Sequence, residues 1–231
     1  MAKKIKDTDY LVISARVKAM ENSLLTRERM EQLLDAKSDD EAVKILQECG
    51  YPELDTADPE ALDAALSAAR EAMLADLADG APDPRYIDIF KLKYDYHNVK
   101  AVLKAETMET DAAHMLMDMG RVPAKELSEA IRAGELDSLP PMLAQAAAEA
   151  KEVLATTRDP QLSDIVLDRW YYRDMEQLVA SVGSEFLLGY LKAQIDAANL
   201  RTLVRTLRMG KNADFLQGVL FEGGDIPVDA V

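Results

Sequence analysis

The chain is poor in the residues that do chemistry. It has one cysteine, Cys49, and two histidines, His97 and His114, in 231 residues. A lone cysteine excludes a disulfide framework within the chain and points to a reducing compartment. Cys49 lies in KILQECG with no histidine near it in sequence, so it reads as a small, half-buried apolar residue rather than a nucleophile. No stretch approaches the run of about 20 apolar residues that a membrane-spanning helix needs. The opening MAKKIKDTDYLVISARVK starts basic, but Asp7, Asp9, Arg16 and Lys18 interrupt any signal-peptide core. It reads as the first helix of the mature protein. Walker A, G-x-G-x-x-G and G-x-S-x-G motifs are all missing.

Positive charge is also scarce, with 27 Lys and Arg against 42 Asp and Glu, a formal net charge of -15. That disfavours nucleic acid and anionic lipid as main partners and favours docking onto basic protein surfaces. Asp111, His114 and Asp118 have a spacing that could present ligands to a metal. Two carboxylates and one imidazole on a short Met-rich segment read more simply as exposed surface. The Glu-x-x-His pairs of di-iron bundles are missing. No catalytic residue, cofactor, metal or small-molecule ligand is expected.

What is present is helix. Apolar residues make up 48% of the chain and mean hydropathy is -0.17, as in a folded, soluble protein able to bury a core without staples. Helix starts are marked by Asp7 to Asp9, Thr26, the pair Ser38 and Glu41, Asp58-Pro59, Pro123, Pro140-Pro141, Asp159-Pro160 and Ser184. Gly50, Gly80, Gly120, Gly183 and Gly210 mark stops, and APDPR is a break. Convincing strands are absent, so the expected class is all-α, built from helices joined by short loops. Trp170, Tyr171 and Tyr172 are expected to pack in the core or between bundles.

Two stretches are near copies. DYHNVKAVLK, Asp95 to Lys104, and DAANLRTLVR, Asp196 to Arg205, share D-x-x-N-[VL]-[KR]-x-[VL]-[VL]-[KR] at an offset of 101 residues. On a helical wheel Asp95, Asn98, Val99 and Val102 share one face, and Lys100 and Lys104 point elsewhere; Asp196, Asn199, Leu200 and Leu203 repeat this, with Arg201 and Arg205 apart. An acid and an amide inside an apolar stripe must find partners when buried. The expectation is that Asp95, Asn98, Asp196 and Asn199 bond neighbouring backbone or capping groups and fix how helices cross. His97 has Ala198 as its counterpart, so the repeat needs no imidazole there. Gly120, Val122 and Pro123 answer to Gly224, Ile226 and Pro227, at an offset of 104. The repeat predicts helical-bundle units over 1–119 and 120–223, with a third starting at 224–231.

These residues resemble a known family, the C subunits of prokaryotic V-type (A/V-type) ATPases, whose eukaryotic counterpart is called d or AC39. The resemblance is carried by YLVISARVKAMENSLL, KLKYDYHNVKAVLKAE, LDRWYYRDMEQL, LKAQIDAANLRTLVR and FLQGVLFEGGDIP, spread over essentially the whole chain. It implies three related helical bundles around a pseudo-threefold axis, two of them present here, forming a funnel or socket. It implies a non-catalytic, peripheral role in the central stalk, on the cytoplasmic face of the membrane. The socket would join the D–F shaft to the proteolipid ring that moves protons or sodium. Arg16, Lys18, Lys100, Lys104, Arg201 and Arg205 are candidate partner-binding cations. A generic acidic α-helical adaptor is the alternative.

Overall fold

The computed structural model describes residues 5–52 and 58–231, so the MAKK opening lies outside the described residues. The described residues form α-helices and short 3-10 turns, with no strand among them. The chain divides into two compact units, Met1–Ile87 and Asp88–Val231. This packing boundary falls inside one helix, whereas the boundaries drawn from the repeat follow sequence similarity.

The first unit contains α1 (Leu11–Met20), α2 (Arg27–Asp35), α3 (Asp39–Glu48) and α4 (Pro59–Gly80). The Thr26 and Asp58 side chains accept the N–H groups of Arg29 and Ala61, satisfying first-turn donors that no helix can satisfy itself. Ser38 caps α3 through Glu41 N–H, but the Glu41 carboxylate reaches back to the N–H of Lys37 rather than of Ser38. The expected box is therefore one residue wider than the usual form. A 3-10 turn, Asp7–Tyr10, precedes α1, with Asp9 accepting from Lys6 N–H. The core here is thin. Among the described residues, Ile13, Val43 and Leu74 are its buried apolar side chains, while Val12 and Leu34 are 82% and 86% exposed.

The chain enters the second unit along α5 (Arg85–Met108) and continues through α6 (Ala124–Ala133), α7 (Pro141–Thr157), α8 (Pro160–Val182), α9 (Glu185–Arg208) and α10 (Ala213–Val219). Asp159 and Ser184 cap α8 and α9 as their positions predict. α10 carries no forecast from sequence, because seven residues are too few to show a helical period. α5 is the centre of the unit. Ile89, Leu92, Tyr94 to Tyr96, Asn98, Val99 and Ala101 to Leu103 are all buried. A helix buried on nearly every side has no polar face to give it an amphipathic signature. Ala146, Ala147 and Ala150 give α7 a narrow face, and the Ser163 hydroxyl of α8 donates to Ala150 C=O 3.1 Å away. Among the described residues, no helix is long and apolar enough to cross a membrane.

Candidate functional site: twin polar clasps and the helix faces beside them

The two cassettes do the same thing in three dimensions. The Asn98 amide donates to Met117 C=O at 2.8 Å and accepts from Met117 N–H at 2.9 Å. Asn199 grips Phe221 identically, at 2.8 and 2.9 Å. A carboxamide is the side chain that supplies one donor and one acceptor side by side, so it satisfies a whole residue's backbone. Asp95 Oδ1 accepts from the N–H groups of Arg121 and Val122, at 2.8 and 3.2 Å. Asp196 accepts from Asp225 and Ile226, at 3.2 and 3.1 Å. A carboxylate only accepts, which suits two adjacent N–H donors. The first cassette thus closes a clasp on the segment between α5 and α6, and the second on the segment after α10. Met117 and Phe221 stand 104 residues apart, the same offset as Gly120 and Gly224.

Those glycines are required by close approach. A Cβ placed on Gly120 or Gly224 would overlap Oδ1 of Asp95 or Asp196 respectively, far inside van der Waals contact. Gly120→Ala must push the Asp95 carboxylate off its two N–H donors. It is expected to cost about 1–3 kcal/mol in urea unfolding, with Gly224→Ala losing stability in the same direction. Wild-type stability in both variants would show that the glycines are not needed for the clasps.

The first clasp is tied further into the unit. Arg121 Nε donates to Asp95 Oδ2 and Arg121 Nη2 to Asp174 Oδ2, each at 2.8 Å. The Tyr96 hydroxyl shares its one proton between Asp174 and Trp170 C=O, both 3.2 Å away. Asp95 is fully buried, and burial pushes its carboxyl above the usual range while Arg121 and the two backbone N–H groups pull it back. Burial disfavours the Arg121 charge, but its bonds to Asp174 and Asp95 outweigh that and hold it more firmly protonated than an ordinary arginine. A file of aromatic rings runs from Tyr96 through Tyr171 and Tyr172 to Phe221, with centroids 5.7, 5.0 and 4.8 Å apart. It joins one clasp to the other. Burial, with the Asp168 carboxylate adding to it and Arg201 opposing, pushes the Tyr172 phenol up to about 12. Trp170 turns its N–H to Glu149 at 2.7 Å.

The candidate cations are disposed unequally. Lys100 and Lys104 pair with Asp168 and Asp164 on α8, at 2.5 and 2.6 Å. In the first unit Arg16 pairs with Asp76, and Lys18 with Glu21. Arg201 donates to Ala197 C=O in its own helix, and neither it nor Arg205 makes an ion pair among the described residues. Both arginines line a cleft of about 390 Å³ between α8, α9 and α10. Asp118 accepts from Ala124 N–H at the start of α6, and Asp111 from Ala113 N–H, with Arg132 beside it. Among the described residues, no cluster of His, Cys, Asp and Glu could hold a metal ion. Arg121 and Asp174 were invisible as partners in the sequence. The one signal was that Arg121 falls at the repeat position where the second copy has Asp225, a break in an otherwise matched G-x-[VI]-P segment.

Buried polar clasps, aromatic stacking and charged helix faces define a helical repeat body that presents surfaces, a structural component by class. The chain belongs to the ATP synthase (C/AC39) subunit family, whose model matches residues 13–231. It is 26% identical to the C subunit of the V-type sodium ATPase of Enterococcus hirae, over 96% of this chain and 68% of that protein. It is 27% identical to the C subunit of the A-type ATP synthase of Thermococcus kodakarensis, over 97% of this chain and 64% of that protein. For the C subunit of the V-type ATP synthase of Thermus thermophilus the figures are 24%, 92% and 68%. The chain therefore spans about two thirds of the length of these relatives.

Proposed function

We propose that this chain acts as the central-stalk socket of a V-type (A/V-type) rotary ATPase. It receives the D–F shaft and couples it to the membrane proteolipid ring, on the cytoplasmic side, for proton or sodium transport. The reading is carried by the family match over nearly the whole chain. The chemistry expected of such a part supports it. Torque transfer needs a stiff body with matched surfaces rather than a reactive pocket, and the clasps supply stiffness by fixing loops to helices. A net charge of -15 favours steered encounter with basic partner surfaces. Of the six candidate cations, Arg201 and Arg205 are assigned to docking first, since the other four already form ion pairs with carboxylates of their own chain. Asp95, Asn98, Asp196 and Asn199 are assigned to holding helix crossings through the loops they clasp.

Size-exclusion chromatography with light scattering, on this chain mixed with its organism's D–F shaft, tests the role. A one-to-one complex is expected at low salt, weakening as ionic strength rises and screens the steering charges. Failure to bind, repeated with a full-length relative of the family in place of this chain, would leave the acidic adaptor in front.

A further inference from the structure

Threonines of these helices treat their hydroxyls in two ways. Thr107, Thr156 and Thr157 return theirs to the carbonyl four residues back, on Leu103, Glu152 and Val153. Thr202 and Thr206 of α9 make no side-chain hydrogen bond among the described residues. Thr206 is only 4% exposed, and it lines the cleft between α8, α9 and α10. Among the described residues no side-chain oxygen or nitrogen is sealed in without a partner, so the Thr206 hydroxyl is turned to that cleft. A hydroxyl so far withdrawn from water and left unpaired carries a cost that a bound acceptor would remove.

The other donors of the cleft are open as well. The Arg205 side chain makes no hydrogen bond or ion pair among the described residues, and Arg201 uses only its Nε, on Ala197 C=O. The Tyr172 hydroxyl has no partner among them either, and burial pushes that phenol up, so it stays protonated and can donate. Arg201 and Arg205 are one turn apart on α9, with Thr202 and Thr206 as the adjoining row. Two carboxylates share the cleft, but Asp164 and Asp168 are held by Lys104 and Lys100, at 2.6 and 2.5 Å. Four cations against two carboxylates leave two positive charges over. Like charges one turn apart destabilise a helix, so a dianion between the two guanidinium groups is favoured. Beside these donors the cleft turns apolar, with Met209, Phe215 and Val219 near the Tyr172–Phe221 ring pair. A volume of about 390 Å³ suits a small molecule rather than a bare ion. The exposed Leu200 and Val204 of α9 take no part in it.

We propose that this cleft binds a free phosphate monoester with a flat apolar body. Arg201 and Arg205 take the phosphate oxygens, joined by the hydroxyls of Thr206 and Tyr172. The body lies against Met209, Phe215 and Val219. At neutral pH a phosphate monoester carries about two negative charges, matching the two positive charges that the cluster leaves over. The net charge of -15 repels anionic bilayers, so the ligand enters from solution rather than on a lipid headgroup. The docking assigned to Arg201 and Arg205 draws on the same guanidinium groups, so the ligand and a docked carboxylate exclude one another. The site itself does not rest on the shaft-and-ring role.

The probe is phenyl phosphate, titrated into the full chain at neutral pH and followed by phosphorus NMR line broadening. Saturable binding is expected, about tenfold tighter than for inorganic phosphate, which lacks the ring. Arg201→Gln with Arg205→Gln should weaken it by at least about tenfold, through loss of charge-assisted hydrogen bonds. Thr206→Val, which keeps the shape and drops the hydroxyl, should weaken it about tenfold, and Thr206→Ser should retain it. Arg208→Gln, on the same helix but outside the cleft, should leave it unchanged. Both cleft arginines are exposed, and circular dichroism melting verifies the fold of each variant. The proposal is overturned if phenyl phosphate does not bind, or if the double arginine variant or Thr206→Val binds as wild type does. It is overturned too if Arg208→Gln weakens binding as much as the cleft variants, since the effect would then be one of diffuse charge. Vesicles containing phosphatidic acid are expected not to sediment the chain. Sedimentation that the double arginine variant abolishes would overturn the assignment to a free ligand.

Discussion

Arg121→Ala is expected to lower the unfolding free energy by about 3–5 kcal/mol, the range for breaking a buried ion pair by removing one partner. The reason is what stays behind. Asp95 is fully buried and Asp174 is 6% exposed, so two carboxylates lose their guanidinium with little water to replace it. Asp95 keeps its two backbone N–H donors, and Asp174 keeps the Tyr96 hydroxyl. The loss is therefore at the scale of a broken pair rather than of two naked ions. The pH dependence has a definite sign. Burial already raises the Asp95 carboxyl, with Arg121 first among the groups that pull it back. A carboxyl raised in the folded state contributes stability that is full below its unfolded pKa and is lost as pH rises through its folded pKa. Taking Arg121 away raises it further. The deficit of the variant is thus larger at pH 7 than at pH 5, and urea titrations at the two pH values measure it. An equal deficit at both would mean that the Asp95 charge is not what Arg121 supports.

Asn98→Leu and Asn199→Leu are the second large effect. Leucine has nearly the same shape but offers neither donor nor acceptor, so each variant orphans the N–H and C=O of Met117 or of Phe221. Each orphaned buried group costs about 1–3 kcal/mol, and partial access to water at these loops brings the pair to about 2–4 kcal/mol per site. Asn98→Asp keeps an acceptor and loses the donor, and should fall between wild type and Asn98→Leu. The Asn98 and Asn199 sites share no hydrogen-bond partner, so the double variant should lose close to the sum. If both leucine variants unfold with wild-type midpoints, the clasps do not hold the loops or the helix crossings assigned to them.

The helix class, most helix starts and the twin cassettes were legible in the sequence because each is a local signal. Thr26, Asp58, Asp159 and Ser184 cap helices whose first turns lie two or three residues away. The cassette repeats within ten residues, and Asp and Asn on an apolar face announce by themselves that they need partners. Tertiary structure decided who those partners are. Asp95 meets Arg121 26 residues on, Arg121 meets Asp174 53 residues on, and Lys100 meets Asp168 68 residues on. Separations of that size leave no periodic trace in a chain. Lys100 and Arg201 are equivalent by pattern, yet the lysine bonds a carboxylate of α8 and the arginine does not. The same holds for Val99, fully buried, and Leu200, 45% exposed. A helical period determines which residues share a face; only the packing of distant elements determines which faces are covered.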